Sequence, residues 1–76
     1  MTGAQIELLK NGVGKNFELL CTDGEVVQAH VISVSEEERD VIYDLISSNM
    51  TDRYQGRPVN AAYLTPLDQI NSIRLL

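Results

Sequence analysis

AAYLTPLDQINSIRLL, residues 61–76, reads as a strand, a one-turn corner and a second short strand. Pro66 fixes its own φ and has no N–H to give a neighbouring strand, so the chain is expected to turn there. Beyond the corner, Ile73 and Leu75 close the last strand. Upstream lies a hairpin, NFELLCTDGEVVQAHVISV (16–34). Joined to that hairpin, the ending predicts a small, strongly bent β-barrel.

Residues 15–22 alternate Phe17, Leu19 and Cys21 against Asn16, Glu18 and Thr22, the period of two that marks a strand with one buried face. Asp23-Gly24 is then expected to supply both positive-φ positions of a type I′ turn. The following stretch, 25–35, holds the adjacent apolar pairs Val26-Val27 and Val31-Ile32. Strict alternation would put one of each pair in water, so the strand is expected to bend or bulge midway and change the phase of its inward face. SEEERD (35–40) is a charged turn. In 41–49, Val41, Tyr43 and Leu45 share one side, with Ile42 and Ile46 on the other. That pattern predicts a strand covered on both faces, one of them by the N-terminal helix. Residues 49–58 are a polar loop with Gly56 and Pro58, 59–65 resume extended structure, 66–69 turn tightly and 70–76 form the last strand.

At the start, Thr2-Gly3-Ala4-Gln5 fits a capping box, in which Thr and Gln exchange hydrogen bonds across the first turn. Ile6, Leu9 and Val13 follow at helical spacing, and Asn11-Gly12 supplies a stop. A helix over about residues 3–11 is too short to stand alone, so its Ile6/Leu9 side must dock on the strands. The predicted core is Phe17, Leu19, Val41 and Leu45, joined by Ile73 and Leu75.

The chain has 76 residues and carries a formal net charge of −5, from 11 acidic and 6 basic residues. This length holds one domain, and its small core leaves little stability in reserve. One cysteine, Cys21, excludes an intrachain disulfide. MTGAQIELLK lacks the basic start and apolar run of a signal peptide, and no apolar stretch approaches membrane-spanning length. The expected location is cytoplasmic. A net negative surface repels phosphate backbones and anionic lipids, which argues against DNA and membrane partners.

The order helix, strand, DG turn, bent strand, strand, loop, short strand, corner, short strand resembles the Sm-like (LSm and Hfq-type) branch of the small SH3-like β-barrels. The helix through Leu9, FELLCTDGEVVQAHV (17–31) and LTPLDQINSI (64–73) carry the resemblance across nearly the whole chain. It implies a mainly β fold: a five-stranded antiparallel barrel with a short N-terminal helix, over a single domain 1–76. It also implies edge strands through which neighbours join by strand pairing. In that family, RNA binding uses an Asp-aromatic-x-Asn signature after the second strand and Arg-Gly or Lys-Gly at the last corner, or Tyr-Lys-His in the Hfq type. This chain departs from those patterns. Its corner reads Leu64-Thr65-Pro66-Leu67, Tyr63 is followed by Leu64-Thr65, and Asp40 and Tyr43-Asp44 lie near the signature but not at its spacing.

Residues capable of chemistry are sparse. Cys21 shares its strand face with Phe17 and Leu19 and is expected to be a buried, inert thiol, because reactive thiols need an electropositive, partly exposed setting. His30 has no further ligands at zinc spacing, so it is read as a strand histidine near the surface. Glu36-Glu37-Glu38 with Asp40 form a solvated turn without the ligand pattern of a calcium loop. The 49–58 loop is richer, because Arg53, Tyr54 and Arg57 place two cations beside an aromatic ring. Such a cluster suits stacking on a base and pairing with a phosphate. It equally suits pairing with the acidic 35–40 turn, or a solvated loop with Tyr54 folded back on the barrel. No catalytic set, phosphate loop, cofactor fingerprint or zinc spacing is present, so no enzyme, cofactor or metal is expected. Two readings follow: a non-catalytic module that binds a protein partner or itself through barrel edges and loops, and an RNA-binding regulator of the LSm or Hfq type that uses Arg53, Tyr54 and Arg57.

Overall fold

A computed structural model describes residues 1–56 and 61–76. Among them, helix α1 (Gly3–Asn11) precedes five strands: β1 (Asn16–Cys21), β2 (Val26–Ser35), β3 (Asp40–Ser48), β4 (Ala62–Pro66) and β5 (Ile70–Leu75). Single 3-10 turns occupy Thr51–Tyr54 and Leu67–Gln69. All strand pairs are antiparallel, and the order in the one sheet is β4-β3-β2-β1-β5. No described helix is long and apolar enough to cross a membrane.

The expected closure into a barrel is not made. The sheet is open, because β4 and β5 stand at its two ends and no ladder joins them among the described residues. β4 is only five residues long and ends on Pro66, which has no donor for a further strand.

α1 starts as its sequence predicts. The Gln5 N–H donates to Thr2 Oγ1 and the Thr2 N–H donates to Gln5 Oε1, completing the capping box. Gly12 ends the helix, its N–H bonded to the Leu9 carbonyl. Leu9 is fully buried and Ile6 half-buried, and the helix packs on β2 and β5. Val13 lies beyond the helix end and is exposed, so the helical spacing does not extend to it. Because α1 sits over β2 and β5, the outer face of β3 is not fully covered. Ile46 is exposed there, correcting the expectation of a strand buried on both sides.

The β1–β2 turn also differs from its prediction. Only Gly24 has positive φ, at 91°. The Gly24 N–H bonds to the Cys21 carbonyl and the Cys21 N–H to the Glu25 carbonyl, closing a three-residue loop, 22–24. Asp23 holds an ordinary φ because its Oδ1 accepts the Glu25 N–H at 3.0 Å, a local turn bond that asparagine and aspartate readily make. The three-residue hairpin needs one left-handed glycine instead of two such residues.

β2 has the expected irregularity, but it does not bring both members of its second apolar pair inward. Val27, Ala29 and Val31 are buried, whereas Ile32 is exposed at a register shift against β3 between Val31 and Ser33. A second shift falls between Gln28 and Ala29. The charged turn follows, with Arg39 at φ 57° and the Glu38 N–H bonded to Ser35 Oγ. His30 is half-buried, its Nδ1 2.9 Å from Asn16 Oδ1.

Phe17, Leu19, Cys21 and Val41 are in the core as expected, with Leu45 and Ile73 half-buried against it. Tyr43, Leu67 and Ile70 complete it, so the last corner and the first residue of β5 contribute more than the end of β5 does. Leu75 is 43% exposed and leaves the predicted core list, because at the chain end it has β1 alone beside it. The predicted extended start at Val59, like Pro58, lies outside the described residues.

Candidate functional site

The DG hairpin and the 49–56 loop meet over one buried carboxylate. Glu25 is only 6% exposed and is the one buried charged residue among those described. Its Oε2 accepts from the Ser48 hydroxyl at 2.6 Å and the Tyr54 hydroxyl at 2.5 Å, and its Oε1 accepts from Arg53 Nη1 at 3.1 Å. A buried carboxylate is costly unless its oxygens are occupied, and three donors occupy these, Ser48 at the end of β3 and Arg53 and Tyr54 in the loop. Arg53 Nη1 also reaches Asp23 Oδ2 at 2.7 Å, so one guanidinium bridges both acids of the hairpin turn.

The loop is held in place at its root. Asn49 Oδ1 accepts the Val26 N–H at 2.8 Å, Asn49 Nδ2 donates to the Gly24 carbonyl, and the Met50 N–H donates to Ser48 Oγ. The 3-10 turn over Thr51–Tyr54 then places Arg53 and Tyr54 on successive positions facing the hairpin. Tyr54 folds back onto the sheet. Its ring meets Tyr63 of β4 edge-on, with centroids 5.3 Å apart and planes at 90°. Tyr63 also stacks with Tyr43 of β3 at 6.3 Å, and the Tyr43 hydroxyl lies 3.0 Å from Thr65 Oγ1.

Beside this network is a cleft of about 250 Å³, lined by the three tyrosines together with Cys21, Asp23, Glu25 and Arg53. Nearest ligand atoms of Cys21, Asp23 and Glu25 lie within 4.8 Å of one another, and these three are the residues here that would hold a metal ion. The bridging charge at both carboxylates is the guanidinium of Arg53.

The electrostatics follow from this packing. The Asp23 carboxyl is held below its usual range by the Glu25 N–H and then by Arg53. Burial, followed by the nearby Glu25 and Asp23 carboxylates, pushes the Cys21 thiol up. Burial and the hydrogen bond to Glu25 push the Tyr54 phenol strongly up, and burial raises Tyr43. None of these shifts creates a reactive nucleophile, since each raised group keeps its proton more firmly.

Of the residues singled out by sequence, Arg53 and Tyr54 come together on Glu25, and Arg57 lies outside the described residues. The partner of Arg53 is the 22–25 hairpin instead of the acidic 35–40 turn, where Glu36 pairs with Lys10 at 3.3 Å. Sequence reasoning missed Glu25, Ser48, Tyr43 and Tyr63. Glu25 directly follows a turn glycine, where a charged residue reads as solvent-facing. The available signal was the cation and phenol of Arg53-Tyr54, two donors whose acceptor had to come from elsewhere in the chain. Compared with known proteins, the chain matches no family model, no curated protein and no solved structure.

Proposed function

We propose that this chain is a small non-catalytic interaction module of the Sm-like, SH3-like barrel type, and that its first partner is another copy of itself. The observation that carries this reading is the strand order: β4 and β5 end the sheet, and each offers an unpaired edge among the described residues. The two edges are complementary in kind, so β5 of one molecule can extend the sheet of the next at β4 and relieve both. Leu64 on β4 is 57% exposed, and Leu75 and Leu76 at the end of β5 are 43% and 54% exposed, apolar surface that such pairing would cover. The leading helix, the five strands in this order and the 3-10 corner between β4 and β5 support the Sm-like assignment. The RNA-binding alternative has less behind it, because Arg53 already bridges Asp23 and Glu25 and the Tyr54 hydroxyl is spent on Glu25.

The Leu76 N–H bonds to the Asn16 carbonyl of β1, so by antiparallel alternation the Leu75 N–H points to the free edge. Leu75→Pro therefore blocks the outer edge of β5 while leaving its ladder with β1. Sedimentation equilibrium is expected to give an oligomer for the parent chain and a monomer for Leu75→Pro. A parent chain that stays monomeric at all concentrations, or a proline variant that assembles equally well, rejects this reading.

A further inference from the structure

The cleft over Glu25 has the chemistry of a cation site that one internal guanidinium does not fully use. Its walls are aromatic: Tyr54 and Tyr63 meet at a right angle and Tyr43 continues the wall behind Tyr63. Among the described residues its lining carries two carboxylates, Asp23 and Glu25, against the one guanidinium of Arg53. A carboxylate offers about four acceptor positions. Among the described residues Asp23 receives two donors, the Glu25 N–H and Arg53, which leaves acceptor capacity on its carboxylate. At about 250 Å³ the space falls below the roughly 300–1,000 Å³ of clefts for drug-sized ligands, and fits a single side chain or a fragment.

We infer that this cleft binds an alkylguanidinium group, seated against the tyrosines and paired with Asp23. Guanidinium is favoured over ammonium for two reasons. It is planar and weakly hydrated, so it stacks on an aromatic face at lower desolvation cost, and its forked N–H groups match a carboxylate. Arg53 shows that a guanidinium is accepted here, since its Nη1 bridges the two acids at 2.7 and 3.1 Å and leaves the forked geometry to a second group. The same chemistry is available from a free small molecule and from an arginine side chain of a polypeptide. The inference does not depend on edge pairing, because the described lining residues all belong to one chain.

Tyrosine fluorescence reads this site directly: the chain has three tyrosines and no tryptophan, and all three line the cleft. The intact chain is titrated with ethylguanidinium, with N-acetyl-arginine methylamide and with ethylammonium, and backbone NMR shifts are followed in parallel. Saturable changes with both guanidinium probes are expected, centred on Cys21, Tyr43, Tyr54, Tyr63 and Thr65, with ethylammonium weaker. Tighter binding of the arginine derivative identifies a polypeptide source, and equal binding identifies a free small molecule. Asp23→Asn keeps the acceptor that holds the turn and should weaken binding about tenfold, the scale of one lost charge-assisted contact. Arg53→Ala removes the competing cation and should tighten binding. Absence of a saturable response, shifts spread over the whole sheet, or ethylammonium binding as tightly as ethylguanidinium overturns the inference. The NMR map of the parent chain decides the matter even where a variant does not fold.

Discussion

The Tyr54 hydroxyl donates to Glu25 Oε2 at 2.5 Å, joining residues 29 apart in sequence. This contact turns the 49–56 loop from a connector into a clamp on the β1–β2 hairpin, because the same carboxylate also holds Ser48 and Arg53. Tyr54→Phe keeps the ring packing on Tyr63 and removes only this bond. Glu25 retains two donors, so the expected cost is about 1.5–3 kcal/mol, the range for hydrogen bonds to charged groups. Urea unfolding monitored by circular dichroism measures it. A midpoint equal to that of the parent chain would mean that water replaces the phenol at no cost.

Leu19 lies on β1 between β2 and β5, paired with Val27 and Ile73, and is fully buried. Leu19→Ala removes its packing on both sides and should cost about 2–5 kcal/mol. A single domain of this size has little beyond that in reserve, so the variant is expected to be largely unfolded at room temperature. Retention of the parent melting temperature would show that this strand face does not carry the core.

Much of this architecture is legible in the residues themselves. The capping box at Thr2, the alternation of Phe17, Leu19 and Cys21, and the corner at Pro66 each rest on local rules, and each stands where the sequence put it. Residues whose placement depends on distant partners are not legible in this way. Asp23 reads as a positive-φ turn residue until its own bond to the Glu25 N–H is seen. Ile46 reads as buried because its apolarity says nothing about which strands the helix covers. Glu25 is the clearest case. Nothing local marks a glutamate after a turn glycine as buried, and its donors come from 23 to 29 residues downstream.

Cys21 is expected to react slowly with thiol reagents in the folded state. It is buried at 8% exposure, and burial and two nearby carboxylates keep its thiol protonated. Ellman's reagent should label the native chain orders of magnitude more slowly than the urea-unfolded chain. Equal rates would place the sulfur on the surface and undo the strand phase.

The same thiol predicts a loss of stability at alkaline pH. Its folded pKa is raised above the ordinary 9.0, so the unfolded chain loses this proton first. The stabilising contribution is therefore complete below about pH 9 and declines as pH rises toward the folded value. Tyr54 and Tyr43, also raised, extend the decline to higher pH. The urea midpoint should fall between pH 8 and pH 10, and Cys21→Ala should flatten the first part of that fall. A midpoint constant over this range, or one unaffected by Cys21→Ala, would contradict the assignment.

Gly12 supplies the last and sharpest prediction. A Cβ built there would lie 2.3 Å from Phe17 Cζ and 2.4 Å from Cε2, with the Leu8 carbonyl oxygen at 3.2 Å. The backbone at Gly12 has φ −99°, so any residue could adopt the conformation, and contact with the ring alone demands glycine. Phe17 is fully buried, its ring lying against Gly12 at the end of α1. Gly12→Ala should therefore destabilise by about 1–3 kcal/mol, the usual cost of forcing extra volume into a packed core. Pairing it with Phe17→Leu, which withdraws the clashing end of the ring, should recover part of that loss in a double-mutant cycle. Gly3→Ala is the control, since a Cβ there meets nothing within 4 Å and alanine favours the helix. Equal melting temperatures for Gly12→Ala and Gly3→Ala would show that α1 does not seat on Phe17.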